Sequence, residues 1–401
     1  MIQFLSILFL AALAYLLQPG ATLRLFYWSG LVFRLCCGLA LGWFYLVHLG
    51  AGDTVYFHEQ ATSLFQLSND SFSEYTRSLL TAQHPVYMGE ARNEFFIKIL
   101  SILYLITGGN YWMSGLYLSF AGFYGSWYLV TRIHQHHPRY FLASVVAFLF
   151  LPTAMFWSSG VLKDPIVNGA LCMLAGFCIR YWHQTTNRLR EYFLVGSGLL
   201  VLFYLKFYLV AIAALFMGVL AWAKVLNALV SRKTYKLLLT LGWIVLMGAL
   251  VTQVNKNLHF DQLPSAVYNT HQIIYSDSDP DKTLHFPDLE PTYTSLIQHL
   301  PKGFIAGLFR PFMWEVRGPL MVGAIQSLVF LLLFFYSLFH SHRYRFTALS
   351  WIAVGYIAAL ATFLPLVSPN LGSLERYKAA YLPFLLFILL IIPVKRFLSK
   401  E

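Results

Sequence analysis

Chemistry at a membrane surface needs a polar group fixed where an apolar run ends, and this chain supplies one in His48-Leu-Gly-Ala-Gly-Asp53-Thr-Val-Tyr56-Phe-His-Glu59-Gln60. The apolar segment before it holds Asp53 at the lipid boundary, and Tyr56 and Gln60 follow at helical spacing on one face. A carboxylate at that height can deprotonate a hydroxyl, or hold a divalent cation beside a lipid headgroup. The same Gly-Asp pair also suits the N-cap of an interfacial helix.

Three further stretches carry charge where a membrane surface is expected. In Pro152-Thr-Ala-Met-Phe-Trp-Ser-Ser-Gly-Val-Leu-Lys163-Asp164-Pro165, Ser158, Ser159 and Gly160 break the apolar run, and Lys163 emerges at the depth of a lipid phosphate. Asp164 and Pro165 form a helix start, and Lys163 serves either a phosphate contact or simple snorkelling. In Leu374-Glu375-Arg376-Tyr377-Lys378, Arg376 offers a planar, bidentate fork that matches a phosphodiester, Lys378 adds a point charge, and an anchoring Arg–Glu pair is the plainer alternative. In Arg310-Pro-Phe-Met-Trp314-Glu315-Val-Arg317, two arginines, a glutamate and aromatic faces suit an anionic lipid or a sugar ring, or equally an aromatic belt with a salt bridge.

Long apolar segments position these groups. The chain has 401 residues, 58% of them hydrophobic and only 11% charged, beyond the range of soluble domains. Fifteen of its seventeen carboxylates lie in four gaps, at 51–94, 158–164, 254–318 and 368–378; Glu191 and Glu401 lie elsewhere. The other gaps hold fifteen bases: Arg24, Arg132, Arg139, Arg180, Arg188, Arg190, Lys224, Arg232, Lys233, Lys236, Arg343, Arg345, Lys395, Arg396 and Lys400. Short basic loops stay cytoplasmic, so the acidic gaps face outward, and the net charge of +11 reflects orientation rather than nucleic-acid binding. The pattern predicts an all-α integral membrane protein with eleven spans near 1–17, 31–50, 111–131, 141–157, 165–182, 192–206, 207–223, 236–253, 319–340, 347–367 and 378–394. Met1 is then outside and the tail inside, with 1–17 a retained helix rather than a cleaved signal and 95–108 an interfacial or re-entrant helix. The whole of 1–401 reads as one polytopic domain, with the loops 51–94 and 254–318 capping a site on the outer face.

Other polar signals read more plainly. Cys36, Cys37, Cys172 and Cys178 lie in apolar segments as small hydrophobes. His134-Gln-His-His137 reads as a polar, partly basic turn rather than a metal site, and 276–282 as a solvated turn lacking the glycine and distant glutamate of a calcium loop. Asn69-Asp-Ser71 is a glycosylation sequon of consequence only in a secretory pathway. No phosphate-binding loop, dinucleotide fingerprint, nucleophile elbow or zinc-protease motif is present.

An outward aspartate after an early span, followed by a tyrosine and an amphipathic stretch, resembles the first loop of the GT-C superfamily of polytopic glycosyltransferases. The Lys163-Asp164 helix start and the Arg376-Tyr377 element before the last span are similar to features of the same proteins. The resemblance covers most of the topology but only four short motifs. It implies a GT-C-like fold with interfacial helices in the first outer loop and a sugar donor carried on a polyprenyl phosphate. It also implies Asp53 as base or metal-organising residue, with Glu59 the second candidate. Arg376, Lys378, Lys163 and Arg310 would hold the donor phosphate, and Tyr56, Trp314, Arg317 and Tyr377 would line the substrate.

The leading expectation is an inverting glycosyltransferase on the outer, periplasmic face of a bacterial inner membrane, with a lipid, glycan or protein acceptor. A divalent cation, Mg or Mn, is a candidate cofactor at Asp53. The alternative is an oligosaccharide repeat-unit polymerase or O-antigen ligase of the cell envelope. Those proteins depend more on arginines in large outer loops, whereas the first outer loop here carries six acids against two bases. A transporter or flippase is the third class, disfavoured because no inverted repeat is visible and Arg34 alone interrupts a span.

Overall fold

The computed structural model describes residues 2–81, 91–183, 189–253, 255–340 and 346–398, so Glu90, Arg188, Arg343, Arg345, Lys400 and Glu401 of the charge pattern lie outside the described residues. The described chain is mostly helical and has no strand among its described residues. Its α-helices run α1 (Ile2–Leu16), α2 (Ala21–Trp43), α3 (Asp53–Asp70), α4 (Phe72–Leu80), α5 (Ala91–Thr107), α6 (Tyr111–His136), α7 (Phe141–Leu149), α8 (Pro152–Trp157) and α9 (Asp164–His183). They continue as α10 (Leu189–Leu229), α11 (Lys233–Val251), α12 (Leu263–Ser276), α13 (Tyr293–Phe309), α14 (Met321–His340), α15 (Ala348–Val367), α16 (Leu371–Lys378) and α17 (Leu382–Leu398).

Among the described residues five helical stretches are long and apolar enough to cross a membrane: Ala21–Leu49, Leu189–Leu229, Thr234–Val251, Gly318–His340 and Ala348–Val367. Two bent pairs raise the number to seven if each is a single span. This is a multi-pass membrane protein. In one bent pair α5 meets α6 at 113°, and the 95–108 segment belongs to that bend. Gly108 and Gly109 make it, at φ 65° and 73°, a conformation that side chains resist.

One of the expected spans takes a different form. The 141–157 run is broken: α7 stops at Leu149, and Pro152, which cannot continue a helix, opens α8. The expected boundary between 192–206 and 207–223 coincides with a kink in α10, where Lys206 takes non-helical angles (φ −149°, ψ 76°) between two helical runs. Lys206, at the kink, pairs with Asp164 at 2.6 Å.

The chain divides into two compact units. The first comprises 1–129, 155–173 and 193–206. Its core includes Tyr27, packed edge-on against Phe123 and Trp127 with its hydroxyl donating to the Ala14 carbonyl at 2.9 Å. Arg34, fully buried on α2, donates to the Ser158 carbonyl and reaches Met155 Sδ at 2.8 Å, so it clamps the segment that joins α8 to α9. Gly125 of α6 lies against the Gly169 backbone of α9, the close approach by which small residues let helices pack in lipid.

The second unit comprises 130–154, 174–192 and 207–401. Here Gly303 and Gly307 of α13 lie against the carbonyls of Thr362 and Ala361 on α15. Phe148 of α7 packs on Phe384 and Phe387 of α17, and Ser337 of α14 donates to the Leu389 carbonyl at 3.1 Å. His271 of α12 is buried and donates from Nδ1 to the Leu366 carbonyl at 2.8 Å. Burial pushes this imidazole's pKa down, since the charged form would lose its water.

Candidate functional site

Asp53 is placed by the way α2 ends. The helix widens into a π-helical turn over Phe44–Leu49, and Gly50 and Gly52 then reverse the chain with positive φ. Gly52 packs against the Tyr45 ring so closely that a side chain there would collide with it. Asp53 is the first residue of α3, with Gly52 in the cap position, so it lies in the first turn, where the helix dipole favours a carboxylate.

Helix α3 is two-faced. Thr54, Phe57, Ala61 and Leu64 are buried against the rest of the first unit, while Asp53, Tyr56 and Glu59 are exposed. The buried face is pinned by Phe57 against Phe96 at 4.9 Å, by Thr54 with the Tyr111 hydroxyl at 2.7 Å, and by His58 with the Tyr104 hydroxyl at 2.6 Å. Burial lowers the His58 pKa, only partly offset by Glu59. Glu59 lies six residues beyond Asp53, about 240° further round the helix. The two carboxylates therefore do not form one dyad.

Lys163 belongs to the same unit. The whole segment Ser158–Pro165 is buried, and the Lys163 ammonium donates to Asn93 Oδ1 on the first turn of α5 while resting 5.1 Å from the Phe57 ring centroid. Phe57 lies one helical turn along α3 from Asp53; its ring and the Lys163 ammonium are on the buried side, and the Asp53 carboxylate is exposed. Asp164 opens α9, and its Oδ1 receives the Lys206 ammonium at 2.6 Å, both side chains being buried. Irregular backbone and charge at membrane depth are costly and cluster at functional sites. In this unit the α8–α9 loop, the α10 break and the start of α5 meet at two lysines and one aspartate.

The remaining candidates lie in the second unit. Arg310 forms a two-pronged pair with Glu315, its Nε at 2.8 and 3.0 Å from the two carboxylate oxygens. Lys378, only 1% exposed, donates to Glu375 Oε1 at 2.7 Å and to the Arg310 carbonyl at 2.5 Å. Its ammonium thus ties α16 to the end of α13. Arg376 and Tyr377, on the same short helix, are half-buried. Trp314 is 82% exposed and stacks on Phe312 with centroids 4.9 Å apart; Arg317 is exposed.

Sequence reasoning missed Asn93, Lys206 and the ion-pair role of Glu375. Lys206 carried a signal, a single charge in a run of apolar residues, whereas nothing local marks Asn93 as a partner of Lys163. Among the described residues no group of three or more His, Cys, Asp or Glu is arranged to hold a metal. A dication at Asp53 would rely on that carboxylate, water and substrate phosphate oxygens, a donor set usual for magnesium. No protein-family model, no curated protein and no solved structure matches this chain.

Proposed function

We propose that this chain is an inverting glycosyltransferase of the GT-C type, with about eleven spans, that takes a sugar from a polyprenyl-phosphate donor on the periplasmic face of a bacterial inner membrane. The reading rests on one observation above the others: the exposed carboxylate of Asp53 lies one helical turn from Phe57, on which the Lys163 ammonium rests. Asp53 takes the proton of the acceptor hydroxyl, and the resulting oxygen attacks the anomeric carbon from the face opposite the phosphate. The anomeric C–O bond breaks with its electrons going to the phosphate, which leaves as polyprenyl phosphate. Lys163, held by Asn93, stabilises that developing charge. If a dication is bound at Asp53, it supplies further charge neutralisation at the phosphate. Arg376, on the second unit, is a separate candidate for a phosphate contact.

The test is reconstitution of the purified protein in liposomes with a panel of labelled polyprenyl-phosphate sugars and acceptors. Release of polyprenyl phosphate together with a glycosylated product supports the reading. Inertness toward every monophosphate donor, with chain growth from diphosphate-linked oligosaccharides, assigns the protein to the polymerases instead.

A further inference from the structure

The histidine-rich segment 134–137, which the structure places at the end of α6 rather than in a separate turn, plays no part in the proposed reaction, yet the fold brings a fourth histidine to it. His183, the last residue of α9, places Nε2 3.0 Å from Nε2 of His137, which directly follows α6. The ring of His136 stacks on His183 with centroids 5.0 Å apart, and His136 Nε2 is buried with no hydrogen-bond partner among the described residues.

Two imidazole nitrogens bound to one ion at about 2.0–2.1 Å stand roughly 2.9 Å apart at a right angle and 3.4 Å apart at the tetrahedral angle. The observed 3.0 Å falls in that interval. A metal takes the lone pair of a neutral imidazole, and the two Nε2 atoms face each other at that distance. Both rings lie at helix C-termini, where the backbone dipole favours a cation. The nearby guanidiniums of Arg132 and Arg180 share the Glu191 carboxylate, which offsets part of their repulsion.

We propose that His137 and His183 form a two-imidazole site for a divalent transition-metal ion, zinc or copper, that ties the C-terminal ends of α6 and α9 together. Water completes the coordination, and His136 is the adjacent ring.

The test uses full-length protein purified without a polyhistidine tag, stripped with chelator and titrated with Zn2+ and Cu2+ in detergent. Wild type should bind one equivalent, with a copper spectrum showing two nitrogen ligands and a metal-dependent rise in Tm. His137→Gln and His183→Gln, each checked as monodisperse by size exclusion, should weaken binding by at least the roughly 10- to 100-fold lost with an outer-shell partner. His259→Gln, outside the cluster, should bind as wild type. Wild type that takes up no metal at tens of micromolar, or variants that bind as wild type does, overturns the proposal in favour of a plain N–H···N hydrogen bond between neutral rings.

Discussion

Lys378→Met isolates the energetics of the second unit's buried charge. The Lys378 ammonium is the ion-pair partner of Glu375 Oε1, while Glu375 Oε2 is buried with no partner among the described residues. The carboxylate is backed by Gly323, where any side chain would collide with it. With side chains 1% and 2% exposed, removing the cation leaves an unbalanced buried carboxylate, a loss of about 3–5 kcal/mol. At about 2 °C per kcal/mol for a large chain, Tm should fall by about 6–10 °C. Neutralising both members in Lys378→Met/Glu375→Gln should return stability to within about 1 kcal/mol of wild type, because a pair removed together leaves no charge behind. Thermal unfolding in detergent, with size exclusion as a check on monodispersity, reads both changes. A single variant that costs less than about 1 kcal/mol, or a double variant no better than the single, refutes the reasoning. The double variant also separates two roles for Lys378: recovered stability with recovered turnover makes it a residue that positions α16, and recovered stability without turnover makes it a phosphate contact.

Gly307→Ala should destabilise by about 1–3 kcal/mol, since its Cβ would enter the Ala361 carbonyl of α15; Gly242→Ala, with open space around it, should be neutral or stabilising in the same unfolding assay. His271 is held neutral by burial, so the unfolded chain binds the extra proton between the lowered native pKa and roughly 6.5. Stability should therefore be full above that range and decline as pH falls through it, and His271→Gln should flatten this slope in unfolding measured from pH 7.5 to 5. Arg376→Lys should raise the donor Kd about tenfold or more if its fork holds a phosphodiester, and unchanged donor binding assigns Arg376 to anchoring.

The architecture was legible wherever a residue's environment is set by its own helix. The apolar runs marked membrane helices, the Gly-Asp junction marked the start of α3 at Asp53, and Asp164-Pro165 marked the start of α9. The same logic failed at 141–157, where composition outweighed Pro152, while the boundary expected between 206 and 207 coincides with the kink at Lys206. Partners were harder still. Lys163 with Asn93 and Lys206 with Asp164 are separated by 70 and 42 positions, and periodicity describes which face a residue occupies, not which element will cover that face. Lys378 shows the converse: it was visible as a cation at the outer end of a helix, but its burial against Glu375 depends on Gly323, a contact only the fold creates.

The account stands most directly on the division of labour between Asp53 and Lys163, and single-turnover sugar transfer in proteoliposomes measures it. Asp53→Asn, an exposed change at nearly constant volume, should abolish transfer while leaving donor Kd and Tm at wild-type values. Lys163→Gln should raise donor Kd and slow release of polyprenyl phosphate. A folded Asp53→Asn protein that transfers sugar at the wild-type rate would contradict the account.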